Sequence, residues 1–110
     1  MFNTDIDYEL FLQNRIADLR AKRSVSARDM SLSIGQSENY INVIENKRAL
    51  PSMSVFFYIC NYFGISPKEF FDEENNNPIL MQDIINELKT LNDEQLSSIY
   101  TLIKNFSNKQ

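Results

Sequence analysis

Apolar residues along this chain recur at intervals of three and four and never in strict alternation, so the pattern predicts helices throughout. Tyr8, Phe11, Leu12, Ile16 and Leu19 form the first stripe, on a helix that Thr4 or Asp5 can cap and that reaches about Lys22. Arg20, Lys22 and Arg23 suit its C-terminal end, where the helix dipole favours positive charge. Ser26 reads as the N-cap of a short second helix, with Asp29 in the first turn, Met30 and Ile34 inward and Gly35 as the stop. Ser37 reads as the cap of a third helix, in which Tyr40, Ile41 and Ile44 are apolar and Asn46-Lys47 is the end. Pro51-Ser52 opens a fourth, Ser52 to Phe63, with Met53, Phe56, Ile59, Cys60 and Phe63 as its core face and Gly64 as the stop. Ser66-Pro67-Lys68-Glu69 spells a capping box with proline at the first helical position, and so a short fifth helix ending near Phe71.

The stretch from Asp72 to Pro78 holds no aliphatic or aromatic residue and reads as an acidic, Asn-rich linker. Beyond it, Leu80, Ile84, Leu88 and Leu91 mark one amphipathic helix from about Ile79. Leu96, Ile99, Ile103 and Phe106 mark another from Asn92, where Gln95 completes a cap pair. The expected fold is all-α: a helical domain over 1–71, a linker over 72–78 and a helical pair over 79–110. Two Gly and three Pro in 110 residues are too few for the turns of a β-sandwich or barrel.

Composition narrows the chemistry. No His is present, which removes imidazole catalysis and His-ligated metals, and the single Cys60 allows neither a disulfide within the chain nor a Cys-cluster zinc site. Cys60 reads as a core residue rather than a reactive thiol. No apolar run approaches the roughly 18 residues that span a bilayer, and no basic-then-apolar signal opens the chain, so a cytoplasmic protein is expected. No nucleophile–base pair or Gly-rich phosphate loop is present, and no enzyme, cofactor or metal is expected. The net charge of −4 is uneven: residues 1–71 carry eight basic and eight acidic residues, and residues 72–110 carry three against seven. The acidity belongs to the C-terminal third. A neutral first domain must gather its positive charge on one side if it is to hold a polyanion.

The informative stretch is 25–52. A short helix, a tight turn at Gly35 and a second helix make a helix-turn-helix, a unit able to place its second helix in a DNA major groove. Val25-Ser26 through Met30, then Ile34-Gly35, Ser37, Ile41, Ile44-Glu45 and Pro51-Ser52 resemble the core of the Cro/Xre-type repressors, whose DNA-binding domain is the lambda-repressor-like fold. The resemblance runs from about Asn14 to Asp72 and takes in Phe63-Gly64-Ile65-Ser66. It implies a five-helix domain that binds operator DNA, commonly as a dimer on two half-sites.

By that resemblance the third helix is the recognition helix. Glu38, Asn39, Asn42 and Val43 would face base edges, and Gln36 and Ser37 would meet the backbone or the first bases. Asn46, Lys47 and Arg48 would lie along a phosphate strand, helped by Arg28 from the second helix. The family usually has Gly at the place of Lys47, a position that wants a positive φ, so either Lys47 or Asn46 must take it. It often has Gln at the place of Ala27. Glu45 reads as a structural partner. Arg15, Arg20, Lys22 and Arg23 read either as a solvated face or, for Arg20 and Arg23, as phosphate contacts.

The expected function is therefore a sequence-specific double-stranded DNA-binding transcriptional regulator, a repressor acting as a homodimer through residues 79–107. Phe57, Tyr58 and Tyr62 need a covering surface, either the C-terminal helices or a partner. The tail could instead fold back in a monomer or dock another protein. The alternative function is a protein-interaction module, such as an antitoxin, a phage inhibitor or an adaptor, with Glu38 and the acidic tail as its active surface. A small-molecule sensor is a third, weaker reading.

Overall fold

The computed structural model describes residues 6–107. Seven helices occur among them, without a strand: α1 (Tyr8–Arg23), α2 (Ala27–Ser33), α3 (Tyr40–Glu45), α4 (Met53–Phe63), α5 (Pro67–Phe70), α6 (Pro78–Leu88) and α7 (Asp93–Ser107). The described residues fall into two compact units that divide between Ile79 and Leu80.

In the first unit Asp7 caps α1 by accepting from the amide of Leu10; Thr4 and Asp5, expected as caps, lie outside the described residues. Ser26, Ser52 and Ser66 cap α2, α4 and α5 through their side chains. At α5 the reciprocal bond from the Ser66 amide to Glu69 completes the capping box, with Pro67 at the first position. These three starts match the expectation.

The helix ends share one device. After α2, Gly35 takes φ 78°, and the amide of Gln36 donates back to the carbonyl of Ser31 at 2.9 Å. After α4, Gly64 takes φ 70° and Ile65 donates to Cys60 at 3.1 Å. Ser24 closes α1 with φ 60°, and Lys47 follows α3 with φ 67°, Arg48 donating to Val43 at 3.1 Å. Each left-handed residue lets a late carbonyl of the helix find a donor. Lys47 itself takes the conformation that its Cβ disfavours; Asn46 stays at φ −85°.

The core gathers Ile16 and Leu19 of α1, Met30, Ile34, Ile41 and Ile44 of the central pair, Phe56, Ile59, Cys60 and Phe63 of α4, then Ile65, Phe70 and Ile79. Met53, expected in this core, is 66% exposed. It is the first residue of α4, beyond the last core position of that helix at Phe56. Tyr8 is likewise exposed, at the first residue of α1.

Three arginines of α1 tie the unit together. Arg15 donates to the carbonyls of Phe70 (2.8 Å) and Asp72 (2.5 Å), and Arg23 donates to those of Tyr62 and Phe63, so both satisfy carbonyls at the ends of α5 and α4. Arg20 pairs with Glu45. The acidic stretch is anchored as well, since Lys22 donates to the carbonyl of Asn76.

In the second unit Asn92 and Gln95 cap α7 reciprocally, at 2.8 and 3.0 Å. Its apolar stripes were expected to need a cover beyond each other, and no residue of α7 is buried; Leu96, Ile99, Ile103 and Phe106 are exposed, as are Leu80 and Ile84. Two short helices cannot cover two apolar faces with each other alone. A groove of about 450 Å³ remains, lined by Leu80, Ile84, Leu88, Leu91 and Ile99 with Asp83 and Glu87 beside them.

Candidate nucleic-acid interface

The α2–turn–α3 segment is assembled from a few side chains. Ile34 and Ile41 are both buried and help join the two helices to the core, and Gly35 reverses the chain between them. The start of α3 differs from the expectation. Ser37 does not cap it with its side chain: Glu38 and Asn39 form a turn, the carbonyl of Ser37 accepts from the amide of Tyr40, and α3 begins there. The missing cap comes from the neighbouring helix. Ser31, wholly buried, donates its hydroxyl to the carbonyl of Ala27 (2.7 Å) and accepts from the amide of Ile41 (3.0 Å), so a first-turn donor of α3 is satisfied by α2. Tyr40, with its phenol pushed up by burial against the opposing effect of a hydrogen bond with the Ser52 backbone, ties α3 to the start of α4.

Behind α3, Glu45 is gripped by Arg20 through both carboxylate oxygens, which holds the Arg20 guanidinium above its ordinary range. Arg20 also donates to the carbonyl of Val25, just before α2. One arginine thus braces both helices of the motif from α1. Arg20 and Arg23 are both engaged internally, so the solvated-face reading of α1 needs qualification: these cations are structural.

The proposed contact residues fall where a ligand could reach them. Arg28, Ser37, Glu38, Asn39, Asn42, Asn46, Lys47 and Arg48 are exposed, and Gln36 and Val43 are half-buried. Several already have partners. Arg28 Nε lies 3.3 Å from a carboxylate oxygen of Glu38, an open ion pair linking α2 to the turn. Gln36 donates to the carbonyl of Ile34, and Asn46 donates to Asn42, both at 3.3 Å. Lys47 Nζ reaches Asn14 at 2.7 Å and the carbonyl of Glu45 at 3.0 Å. Arg48 has no side-chain partner among the described residues.

Residues 14–76 match the family model described as a helix-turn-helix domain. The chain belongs to that helix-turn-helix family. No curated protein and no solved structure matches it. Within the helix-turn-helix domain, the starts of α2, α4 and α5 and the turn glycine were readable from local spacing, whereas Ser31 and Asn14 were given no role and Glu45 was read as a structural partner without Arg20 being named. Ser31 looks like an ordinary small helix residue, and its only signal is a hydroxyl flanked by the apolar Met30 and Leu32. Among the described residues no group of His, Cys, Asp and Glu could hold a metal, and no helix is long and apolar enough to cross a membrane.

Proposed function

We propose that the protein is a sequence-specific regulator of transcription in the cytoplasm, a repressor that occupies operator DNA as a homodimer. The observation that carries this is the exposed polar surface of the helix-turn-helix: Ser37, Glu38, Asn39, Asn42 and Asn46 line one short stretch, with Arg48 beside them and Arg28 across the turn. Asn side chains offer the paired donor and acceptor that suit adenine, and Arg28, Lys47 and Arg48 can meet phosphates. The resemblance to Cro/Xre-type repressors supports the same assignment. Residues 1–71 would read DNA, 72–78 would connect, and 79–107 would dimerise; the exposed stripes of α6 and α7 support that last role.

The test is fluorescence anisotropy with duplex DNA from upstream of the protein's own gene and from genomic fragments, beside a scrambled duplex, over a salt series. Selective binding whose log K falls with log salt is expected. Replacing Arg28, Lys47 and Arg48 by Glu should abolish it. Sedimentation of the Ile99→Asp variant, expected to be monomeric, tests the dimer.

A second reading is favoured by the Arg28–Glu38 pair, which puts a carboxylate at the recognition turn. A protein-interaction module would use that surface toward a protein. No DNA binding even at low salt, with partner binding sensitive to Glu38 rather than to the three cations, would support it.

A further inference from the structure

An aromatic surface lies where α1 begins and α5 ends, and it uses none of the residues assigned to DNA. Phe71 is its centre. The Tyr8 ring meets Phe71 edge-on with centroids 5.9 Å apart, and the Phe11 ring stacks on it, also at 5.9 Å. Phe56, buried beneath, lies 5.6 Å from Phe71 and 6.1 Å from Phe57. Tyr8 is 51% exposed and Phe57 46%, while Phe11 and Phe71 are half-buried. Aromatic side chains of this kind dominate the energetics of binding surfaces when a partner covers them.

The margin of this surface is mostly acidic, with Arg15 as the cation set among its carboxylates. Asp7 and Glu9 flank Tyr8, and Asp72, Glu73 and Glu74 follow Phe71 directly. None of these carboxylates lies within ion-pair distance of a cation among the described residues, although Asp72 and Glu73 are near enough to Arg15 to act on its charge and Asp7 caps α1. One cation is already seated there: the Arg15 guanidinium lies 5.0 Å from the centroid of Phe11 while donating to the carbonyls of Phe70 and Asp72. Ring faces that hold one guanidinium inside a carboxylate rim suit further cations.

The geometry points to a docking site for a partner protein's apolar segment that carries Lys or Arg beside its hydrophobic residues. A second copy of this chain fits the rim poorly. Its exposed apolar helices belong to the segment 80–107, which carries Asp83, Glu87, Asp93 and Glu94 against only Lys89 and Lys104. Like charges across such an interface are unfavourable. The site would let one domain engage DNA through α3 and a basic protein surface through Tyr8, Phe11, Phe57 and Phe71.

The experiment is an amide-resolved NMR titration of the full chain with a synthetic amphipathic peptide bearing Leu and Phe on one face and Lys on the other. Its Glu-for-Lys counterpart and a Lys-Ser peptide without apolar residues are the controls. The expected result is shifts centred on Tyr8, Phe11, Phe57 and Phe71 with the first peptide and none with the controls. Affinity should fall about tenfold or more in the triple variant Glu9→Lys, Glu73→Lys, Glu74→Lys, and also in Tyr8→Ala, which leaves the charge unchanged. Shifts confined to 80–107 or to α3, equal binding of the Glu peptide, or indifference to these variants would overturn the proposal. Shifts at the aromatic surface on concentrating the chain without peptide would overturn it in favour of self-association.

Discussion

Arg20 holds both carboxylate oxygens of Glu45, Nε to one at 2.7 Å and Nη2 to the other at 2.8 Å, across 25 positions of sequence. The two side chains are largely covered, 24% and 12% exposed. A bidentate pair of this kind fixes direction as well as distance, so it sets how α3 is presented to whatever it meets. Removing one partner also strands the other in a poorly hydrated place. Glu45→Gln should therefore destabilise the domain by about 2 kcal/mol, less than for a fully buried pair. Urea denaturation of the single variants and of the Arg20→Gln, Glu45→Gln double variant checks this, and the double variant should lose clearly less than the sum.

Ser31 makes a sharper test of the motif's interior. Ser31→Ala removes the hydroxyl that satisfies the amide of Ile41 among the described residues and costs about 1–3 kcal/mol for the unsatisfied buried donor. Hydrogen exchange at Ile41 should quicken more than at the end of α4, and a thermal melt should register the global loss.

Lys47 leads to the opposite sign. Its φ of 67° is a conformation that an L side chain adopts at a cost of roughly 1–2 kcal/mol. Its ammonium recovers part of that cost through Asn14 and the Glu45 carbonyl, both exposed contacts. Lys47→Gly should stabilise the domain by about 1 kcal/mol in urea melts. Under the DNA-binding assignment the same variant should lower affinity and reduce the salt slope by about one charge per subunit.

Cys60 gives the pH dependence. Burial pushes its thiol from the ordinary 9.0 up to about 11. Because the folded value lies above the unfolded one, the unfolded chain loses its proton first. The contribution is complete below about 9 and is lost as pH rises toward 11, at roughly 1.4 kcal/mol per pH unit. Between pH 8 and pH 10 the wild type should lose about 1 kcal/mol more stability than Cys60→Ala does over the same interval. A thiol reagent at pH 8 should react with Cys60 only after unfolding.

What local spacing encodes was legible. Ser26, Ser52 and Ser66 cap where their positions before apolar runs say they should, and Gly35 and Gly64 turn where a helix needs a left-handed residue. These signals depend on neighbours within four residues. Arg20 reaching Glu45, Arg23 reaching Tyr62 and Phe63, and Ser31 completing α3 depend on the folded arrangement, and nothing near them in sequence distinguishes them from surface residues. The Ser37 expectation failed for a local reason, since the Tyr40 amide that its hydroxyl would have served is met by its own carbonyl. The tail stripes were read correctly as amphipathic, but periodicity identifies an apolar face without saying what covers it.

The internal use of basic side chains changes what the charge count means. Of the eight cations in residues 1–71, Arg15, Arg20, Lys22, Arg23, Arg28 and Lys47 have partners within the chain, while Arg48 and Lys68 have none among the described residues. Sequence-independent affinity for DNA comes almost entirely from cations that displace counterions. Under the DNA-binding assignment, Arg15, Arg20, Lys22 and Arg23 would add little to that affinity, which would fall to Arg28, Lys47, Arg48 and Lys68, so the protein would be held only weakly by the mass of unrelated chromosome. A small number of molecules per cell would then suffice to fill one site, because few would be sequestered elsewhere.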